Sequence, residues 1–309
     1  MAKRVQLRWI GDPELSAAHA ALLVATGARC ADEKTEQLLI RPVTEINNRL
    51  LSASVDMGTF WRTYYAEKFR DPGSDQACAN ALIAGGCSEL QMDQTCKVVL
   101  NRLGDSRRAF HSRYPKLSEQ LDLRARPLRD RWETIGPGLL REIEMLIWKN
   151  SPPKGWRASR VTATMVQPLR GGDGGFDSKS GKIWMEAVLT DVDPAVPEVI
   201  RIAALITRMA LESITHEHES VASLPWSLAS VPIVLTAAAS LDLCRSEPPP
   251  IDEAMGLWQI GDNTVSEILQ DWWLEFQAND DALPVGLQQL ALSLESERIV
   301  TDDSFEPNV

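Results

Sequence analysis

The segment RVTATMVQPLRGGDGGFDSKSGKIWMEAVL, residues 160–189, decides the fold class. Apolar residues recur at every second position over residues 161–166 and again over residues 183–189, which is the period of a β-strand. The glycine-rich stretch RGGDGG, residues 170–175, separates the two runs and predicts the flexible connection of a β-hairpin. Helical periodicity covers most of the remaining chain. We therefore predict an α+β protein, predominantly α-helical, in which a helical N-terminal part is followed by a β-hairpin packed on helices.

The domain organisation follows from the composition around residue 150. A chain of 309 residues is long enough for about two domains. The run NSPPKG, residues 150–155, contains two prolines and a glycine, so it cannot continue a helix or a strand. We predict a helical domain over residues 1–150, a domain of β-hairpin and helices over residues 151–300, and an acidic tail over residues 301–309.

Short local signals predict where single elements begin and end. Residues 3–10 alternate in the manner of an edge strand. Asp12 followed by Pro13 is typical of a helix start, because the acid caps free backbone amides and proline suits the first helical position. Pro42 and the run GPG, residues 136–138, predict breaks or bends in the helical part.

Charge and composition exclude several classes of partner. The net charge is −11, whereas proteins that bind nucleic acid or anionic membranes need a basic surface. The basic stretch Arg102–Arg131 predicts a solvated helical face, with an anion-binding patch as the alternative. No apolar run reaches the ~18 residues of a membrane helix, and no signal-peptide core follows the N-terminus. Five cysteines without such a signal indicate free thiols. We expect a cytoplasmic protein with no nucleic acid and no membrane partner.

The segment THEHE, residues 215–219, is the most reactive-looking cluster in the sequence. His216 and His218 could supply two imidazoles to one metal from an extended segment, and Glu212 lies one helical turn before His216. The alternative is a solvated turn just past a helix end, where histidines and acids are common. No cofactor is expected unless this group binds zinc, in which case a metal-dependent hydrolase is the implied function.

The second strand run carries a further candidate site. Glu186 could be half of a paired-carboxylate site with Asp191 or Asp193, but nothing in the sequence fixes the second carboxylate, and a solvent-facing strand acid is favoured. Trp184 and Met165 could line a small-molecule pocket between the hairpin and the helices. The glycine-rich stretch between the strands is not predicted to bind phosphate, because a strand rather than a helix follows it.

The order of elements after Gly181 resembles the core of the zincin metallopeptidases. Residues 181–189 look like the zincin edge strand, and residues 197–205 look like the run-in to the helix that carries His-Glu-x-x-His. Ile206, Thr207 and Ala210 stand where that motif would have its first histidine, its glutamate and its second histidine. The resemblance implies a zincin-like fold without zinc, and therefore a pseudoenzyme.

A second resemblance covers the whole chain. With the segments PLRDRWE, residues 127–133, and GPGLL, residues 136–140, the chain resembles uncharacterised proteins of planctomycete-type bacteria, a likeness that implies no activity. The prediction from sequence is a non-enzymatic, zincin-like remnant that acts as an interaction or scaffolding module for an unknown protein partner. The alternatives are the metal-dependent hydrolase and a small-molecule-binding protein.

Overall fold

The computed structural model describes residues 5–149, 151–217, 224–244, 250–279 and 281–296, with the side chains of residues 214–217 and 263 excepted. Within these residues the chain forms four strands and eleven helices. The strands are β1 (Gln6–Gly11), β2 (Arg160–Val166), β3 (Gly174–Asp177) and β4 (Lys182–Glu186). The helices are α1 (Pro13–Thr26), α2 (Glu33–Ser52), α3 (Met57–Arg70), α4 (Ala77–Ala84), α5 (Glu89–Arg113), α6 (Leu117–Trp148), α7 (Glu198–Glu217), α8 (Trp226–Ala239), α9 (Ile251–Trp258), α10 (Asn263–Ala278) and α11 (Leu283–Ser296). The fold is α+β and predominantly helical, as predicted.

The four strands form one sheet in the order β1-β2-β4-β3. β1 and β2 pair in parallel, β2 and β4 also pair in parallel, and β3 is antiparallel to β4. The predicted hairpin between residues 161–166 and residues 183–189 is therefore wrong, because those two strands run in the same direction. The hairpin is formed by β3 and β4 instead. Two of the four residues of β3 are glycines, which are depleted in strands, so its sequence carries little strand signal.

The local signals for element ends are largely confirmed. β1 is an edge strand, and the Asp12 side chain accepts a hydrogen bond from the Leu15 amide at the start of α1. Breaks at Pro42 and at residues 136–138 are wrong, because α2 runs through Pro42 and α6 runs through Pro137. Bends at these positions, the other form of the prediction, stay a prediction. In α6 the adjacent Gly136 has a packing role, since a Cβ there would lie 2.5 Å from the Trp132 ring. Burial of a long apolar face outweighs the local cost of proline in these helices.

Helices cover the sheet and place α1 at its centre. α1 packs against α2, α3, α5 and β2, while α6 packs along β1, β2, α7 and α8. Because β1 pairs with β2, chain segments from both sides of residue 150 belong to one sheet and one hydrophobic core. Within the described residues, no helix combines the length and hydropathy needed to cross a membrane.

Candidate functional site

Glu186, the last residue of β4, is completely buried, so the prediction of a solvent-facing acid is wrong. Its Oε1 accepts hydrogen bonds from the backbone amides of Leu169 and Arg170, each at 2.8 Å. Its Oε2 accepts from the amides of Gly171 at 2.8 Å and Gly172 at 2.7 Å. Four successive amides thus converge on one carboxylate. Such a concave row of N–H groups is an anion-binding nest.

Glycine allows the backbone to form this nest. Gly171 and Gly172 have φ values of +92° and +96°, which side chains on L-residues disfavour. The RGGDGG stretch is therefore not the flexible connection that the sequence predicts. It is an ordered anion-binding loop, and its anion is the chain's own carboxylate. The available sequence signal was a charged residue inside the apolar run IWMEAVL, since an acid between buried strands must find donors.

His19, in the middle of α1, completes the coordination of Glu186. Its Nε2 lies 3.1 Å from Glu186 Oε1 and donates to it, because an ionised carboxylate can only accept. Trp184 and Tyr65 surround the imidazole at ring-centroid distances of 5.1 and 5.8 Å. We call these four residues the Glu186 cluster. Nothing in the sequence pairs His19 with a glutamate 167 positions away, and His19 was not among the predicted site residues.

Electrostatics hold Glu186 in its ionised form. Burial alone would raise the pKa of Glu186, but the hydrogen bond and charge of His19 and the amides of Leu169 and Arg170 outweigh it and lower the pKa to about 2. The carboxylate is enclosed, fully hydrogen-bonded and a weak base. These properties suit a structural anchor and do not suit a general base, which needs access to substrate and a pKa near neutrality.

Acidification is expected to destabilise the fold through this one carboxylate. The pKa of Glu186 is depressed from 4.5 to about 2, so its contribution is present above pH ~4.5 and is lost as pH falls towards 2. A shift of this size corresponds to about 3 kcal/mol. Urea unfolding followed by tryptophan fluorescence should show a steeper loss of stability below pH ~4.5 than the variant Glu186→Gln shows. Equal slopes in both proteins would contradict the assignment.

Neither of the two predicted partner carboxylates is placed to act with Glu186. Asp191, one of the two predicted partners, accepts hydrogen bonds from Arg131 Nη1 at 2.6 Å and from the Glu198 amide at 2.9 Å. Asp193 caps a turn by accepting from the Ala195 amide. Both acids therefore serve the segment before α7 and not a paired-carboxylate site.

Trp184 and Met165 are buried inside the sheet core. Neither residue lines the cavity among residues of α1, α3, α4 and α5 or the cleft beside Arg124 and Thr190. Trp184 packs over the glycine-rich hairpin, where a Cβ on Gly175 would lie 2.5 Å from Trp184 Nε1. Their role in the described structure is packing around Glu186.

The predicted metal ligands fall largely outside the described structure. α7 continues to Glu217, so His216 lies in the helix and not in the extended segment that the sequence predicts. The His216 side chain and the whole of His218 are outside the described residues, whereas Glu212 is half-buried on α7. Among the described residues, no group of three His, Cys, Asp or Glu side chains could hold a metal. The zinc site stays a prediction.

Five of the nine basic residues in the stretch Arg102–Arg131 form ion pairs with neighbouring acids. Arg102 pairs with Glu45 at 2.8 Å, and Arg131 pairs with Asp191 at 2.6 Å. The remaining paired arginines of this stretch are Arg107, Arg108 and Arg113. Cations already paired with carboxylates give little net attraction for an external anion, so this surface favours the solvated-face interpretation.

A cavity of about 440 Å³ lies among α1, α3, α4 and α5. Small side chains line it where helices would normally interdigitate, namely Ala17, Ala18 and Ala21 of α1 and Gly104 of α5. The cavity is open to solvent on one side, where Leu100, Asp75 and Arg107 are exposed, so it is a cleft and not an enclosed void. A volume of this size falls in the range of about 300–1,000 Å³ typical of ligand pockets.

Comparison with known proteins identifies no relative: no protein-family model, no curated protein and no solved structure matches this chain. The resemblances to zincins and to planctomycete-type proteins therefore gain no support and stay predictions. The function has to be inferred from the geometry of the Glu186 cluster and of the cavity.

Proposed function

We propose that this protein is a non-enzymatic small-molecule-binding protein and that its ligand occupies the cavity among α1, α3, α4 and α5. The observation that carries the proposal is the cavity itself, a cleft of about 440 Å³ between the helices that is open to solvent at its rim. The sequence places a small-molecule pocket beside Trp184 and Met165 instead. The proposal keeps the predicted class of function and moves the site to the N-terminal helices.

The walls of the cavity suit an apolar ligand with few polar contacts. Leu15 and Leu103 are buried and contribute aliphatic surface. The Ser106 hydroxyl, which belongs to the same lining, is buried and has no hydrogen-bond partner among the described residues. Apolar walls with a small number of polar groups are typical of small-molecule sites, since the walls supply affinity and the polar groups orient the ligand.

The chemistry of the cavity supports binding and not catalysis. Burial raises the pKa of the Cys78 thiol, and burial also raises the pKa of the Tyr64 hydroxyl. Both groups are therefore protonated at neutral pH, and a protonated thiol is a poor nucleophile. The acid–histidine pair of Glu186 and His19 is enclosed elsewhere in the core. The two carboxylates of the lining, Glu14 and Asp75, are exposed at its rim, outside the apolar part that would hold a ligand.

The zincin-like remnant acting as a scaffold is the second candidate function. It is supported by the residues on α7 at the three motif positions, Ile206, Thr207 and Ala210, which are all buried. None of the three can bind a metal, and α7 packs against β3 of the sheet. A scaffolding role needs a partner surface, however, and no contact in the described structure points to one. The cavity is the more specific feature.

Binding is tested with a neutral, environment-sensitive dye and one cavity-filling variant. N-phenyl-1-naphthylamine should gain fluorescence with the wild-type protein and saturate at one site per chain. Ala18→Phe should abolish this signal, because the new ring occupies the cavity. Ala84→Phe, on the exposed face of α4, is the matched control and should retain it.

The stability of Ala18→Phe shows whether the cavity is real. Filling an existing cavity commonly adds about 0.5–2 kcal/mol to the free energy of unfolding. Forcing a ring into a close-packed core instead costs about 1–3 kcal/mol. An Ala18→Phe protein that is less stable than the wild type, together with no dye binding by the wild type, would reject the proposed function.

A further inference from the structure

We propose that the cavity selects amphipathic monocarboxylates, with the carboxylate held at Lys68 and the apolar tail in the space among the helices. This inference rests on the proposed function and deepens it by naming the chemical class of the ligand. It is carried by the arrangement of charged groups around the cavity, which has an uncharged interior and a rim with one half-buried cation.

The charges are confined to the rim. The interior side chains are aliphatic or carry neutral hydroxyl and thiol groups. Lys68, Glu14, Asp75 and Arg107 are the charged residues of the lining. The four charges sum to zero, so the preference of the site depends on which of them are already paired and which are shielded from water.

Three of the four rim charges are poorly placed to select a ligand. Glu14 already accepts from His111 at 2.9 Å and lies 3.4 Å from Arg107. Arg107 has a side chain 58% exposed, so its interactions are screened by water. Asp75 is also exposed. An exposed or paired charge attracts a ligand group only weakly.

Lys68 differs from these residues in its burial and its partners. It lies on α3 and is half-buried, and its ammonium donates to the carbonyl oxygens of Pro72 at 3.3 Å and Ser74 at 3.0 Å. No carboxylate lies within ion-pair distance of it among the described residues. Two neutral acceptors fix its position at the rim without cancelling its charge, and an ammonium has a third donor to offer.

A ligand carboxylate would complete the coordination of Lys68. A charge-assisted hydrogen bond in a partly desolvated site is stronger than a neutral one. An aliphatic tail would at the same time bury itself against the alanines and leucines of the walls. A neutral alcohol of the same length would bury its tail in the same way but would not form the charge-assisted hydrogen bond to Lys68. An amine would be repelled by Lys68.

The test compares three ten-carbon probes at pH 8, where decanoate is an anion and decylamine is largely a cation. Each probe displaces N-phenyl-1-naphthylamine from the wild-type protein. Decanoate should displace the dye at a concentration at least about ten times lower than 1-decanol, because one charge-assisted hydrogen bond is enough for a tenfold gain in affinity. Decylamine should displace the dye most weakly of the three.

Variants assign the preference to Lys68. Lys68→Met should remove the advantage of decanoate over decanol, and Lys68→Arg should restore most of it because the charge returns. Lys34→Met, at an exposed position of α2 outside the cavity lining, is the matched control and should leave the order of the three probes unchanged. The Lys68→Arg variant also guards against disturbance of the turn whose carbonyl groups Lys68 binds.

The possible outcomes distinguish failure of the carboxylate preference from failure of the binding function. Equal displacement by decanoate and decanol, or stronger displacement by decylamine, would overturn the carboxylate preference and leave the binding function intact. Dye binding that none of the three probes displaces would also overturn it. No dye binding and no heat of binding with decanoate would instead reject the proposed function itself.

Discussion

Glu186→Gln is expected to lower the free energy of unfolding by about 3–5 kcal/mol. The glutamine side chain keeps one oxygen acceptor but replaces the other with an NH₂ group. Both oxygens of Glu186 accept from backbone amides, so the NH₂ group must face N–H donors on one side of the nest. Those amides would stay buried without acceptors, at a cost of about 1–3 kcal/mol each.

Chemical denaturation with urea at pH 7 measures this effect, with Glu267→Gln as the matched control. Glu267 is an exposed acid on α10, where the same substitution should change stability by less than about 0.5 kcal/mol. Tryptophan fluorescence follows the unfolding, because Trp184 lies in the Glu186 cluster. A Glu186→Gln protein as stable as the control would mean that the nest does not depend on the carboxylate.

The sequence predicts where several helices and strands lie, because the signals for single elements are local. The cap at Asp12 and the strand period over residues 161–166 each depend on neighbours within a few positions. The pairing of strands does not depend on neighbours within a few positions. β2 and β4 are parallel because the chain reverses direction twice between them, once before β3 and once after it. Two of the four residues of β3 are glycines, so propensity gives little sign of that strand.

The sequence analysis named Glu186 as a candidate site residue but predicted that its side chain faces solvent. Alternation along β4 places Glu186 on the face opposite Met185, which predicts solvent for an edge strand. β4 is instead flanked by β2 and β3, and α1 supplies His19 on that face. The donors come from a loop 13–17 positions away and from a helix 167 positions away. Such distances are fixed by tertiary packing and leave no pattern in a single sequence.

The position of the cavity also could not be predicted from the sequence. Ala17, Ala18 and Ala21 are visible in the sequence as small residues, and small residues are common in helices of every kind. They create space only because Gly104 and Ala77 face them from two other helices. The missing volume is a property of three helices together, so no reading of α1 alone could locate it.

Gly172→Ala is expected to cost about 3–5 kcal/mol, because it combines backbone strain with a steric conflict. The φ of +96° is unfavourable for alanine. A Cβ there would also lie 2.8 Å from Arg201 Nη2 and 3.0 Å from Glu198 Oε1. These two residues are buried and paired with each other at 3.0 Å, so neither can move aside without breaking the pair.

Gly171→Ala separates the two causes, because this neighbour has nearly the same backbone and more space. Its φ is +92°, and the nearest atom to an added Cβ is Val192 Cγ1 at 3.9 Å. Backbone strain alone should cost about 1–3 kcal/mol. Urea midpoints should therefore fall in the order wild type, Gly171→Ala, Gly172→Ala. Equal losses in the two variants would show that only the backbone matters, and that the buried Arg201–Glu198 pair does not support the loop that binds Glu186.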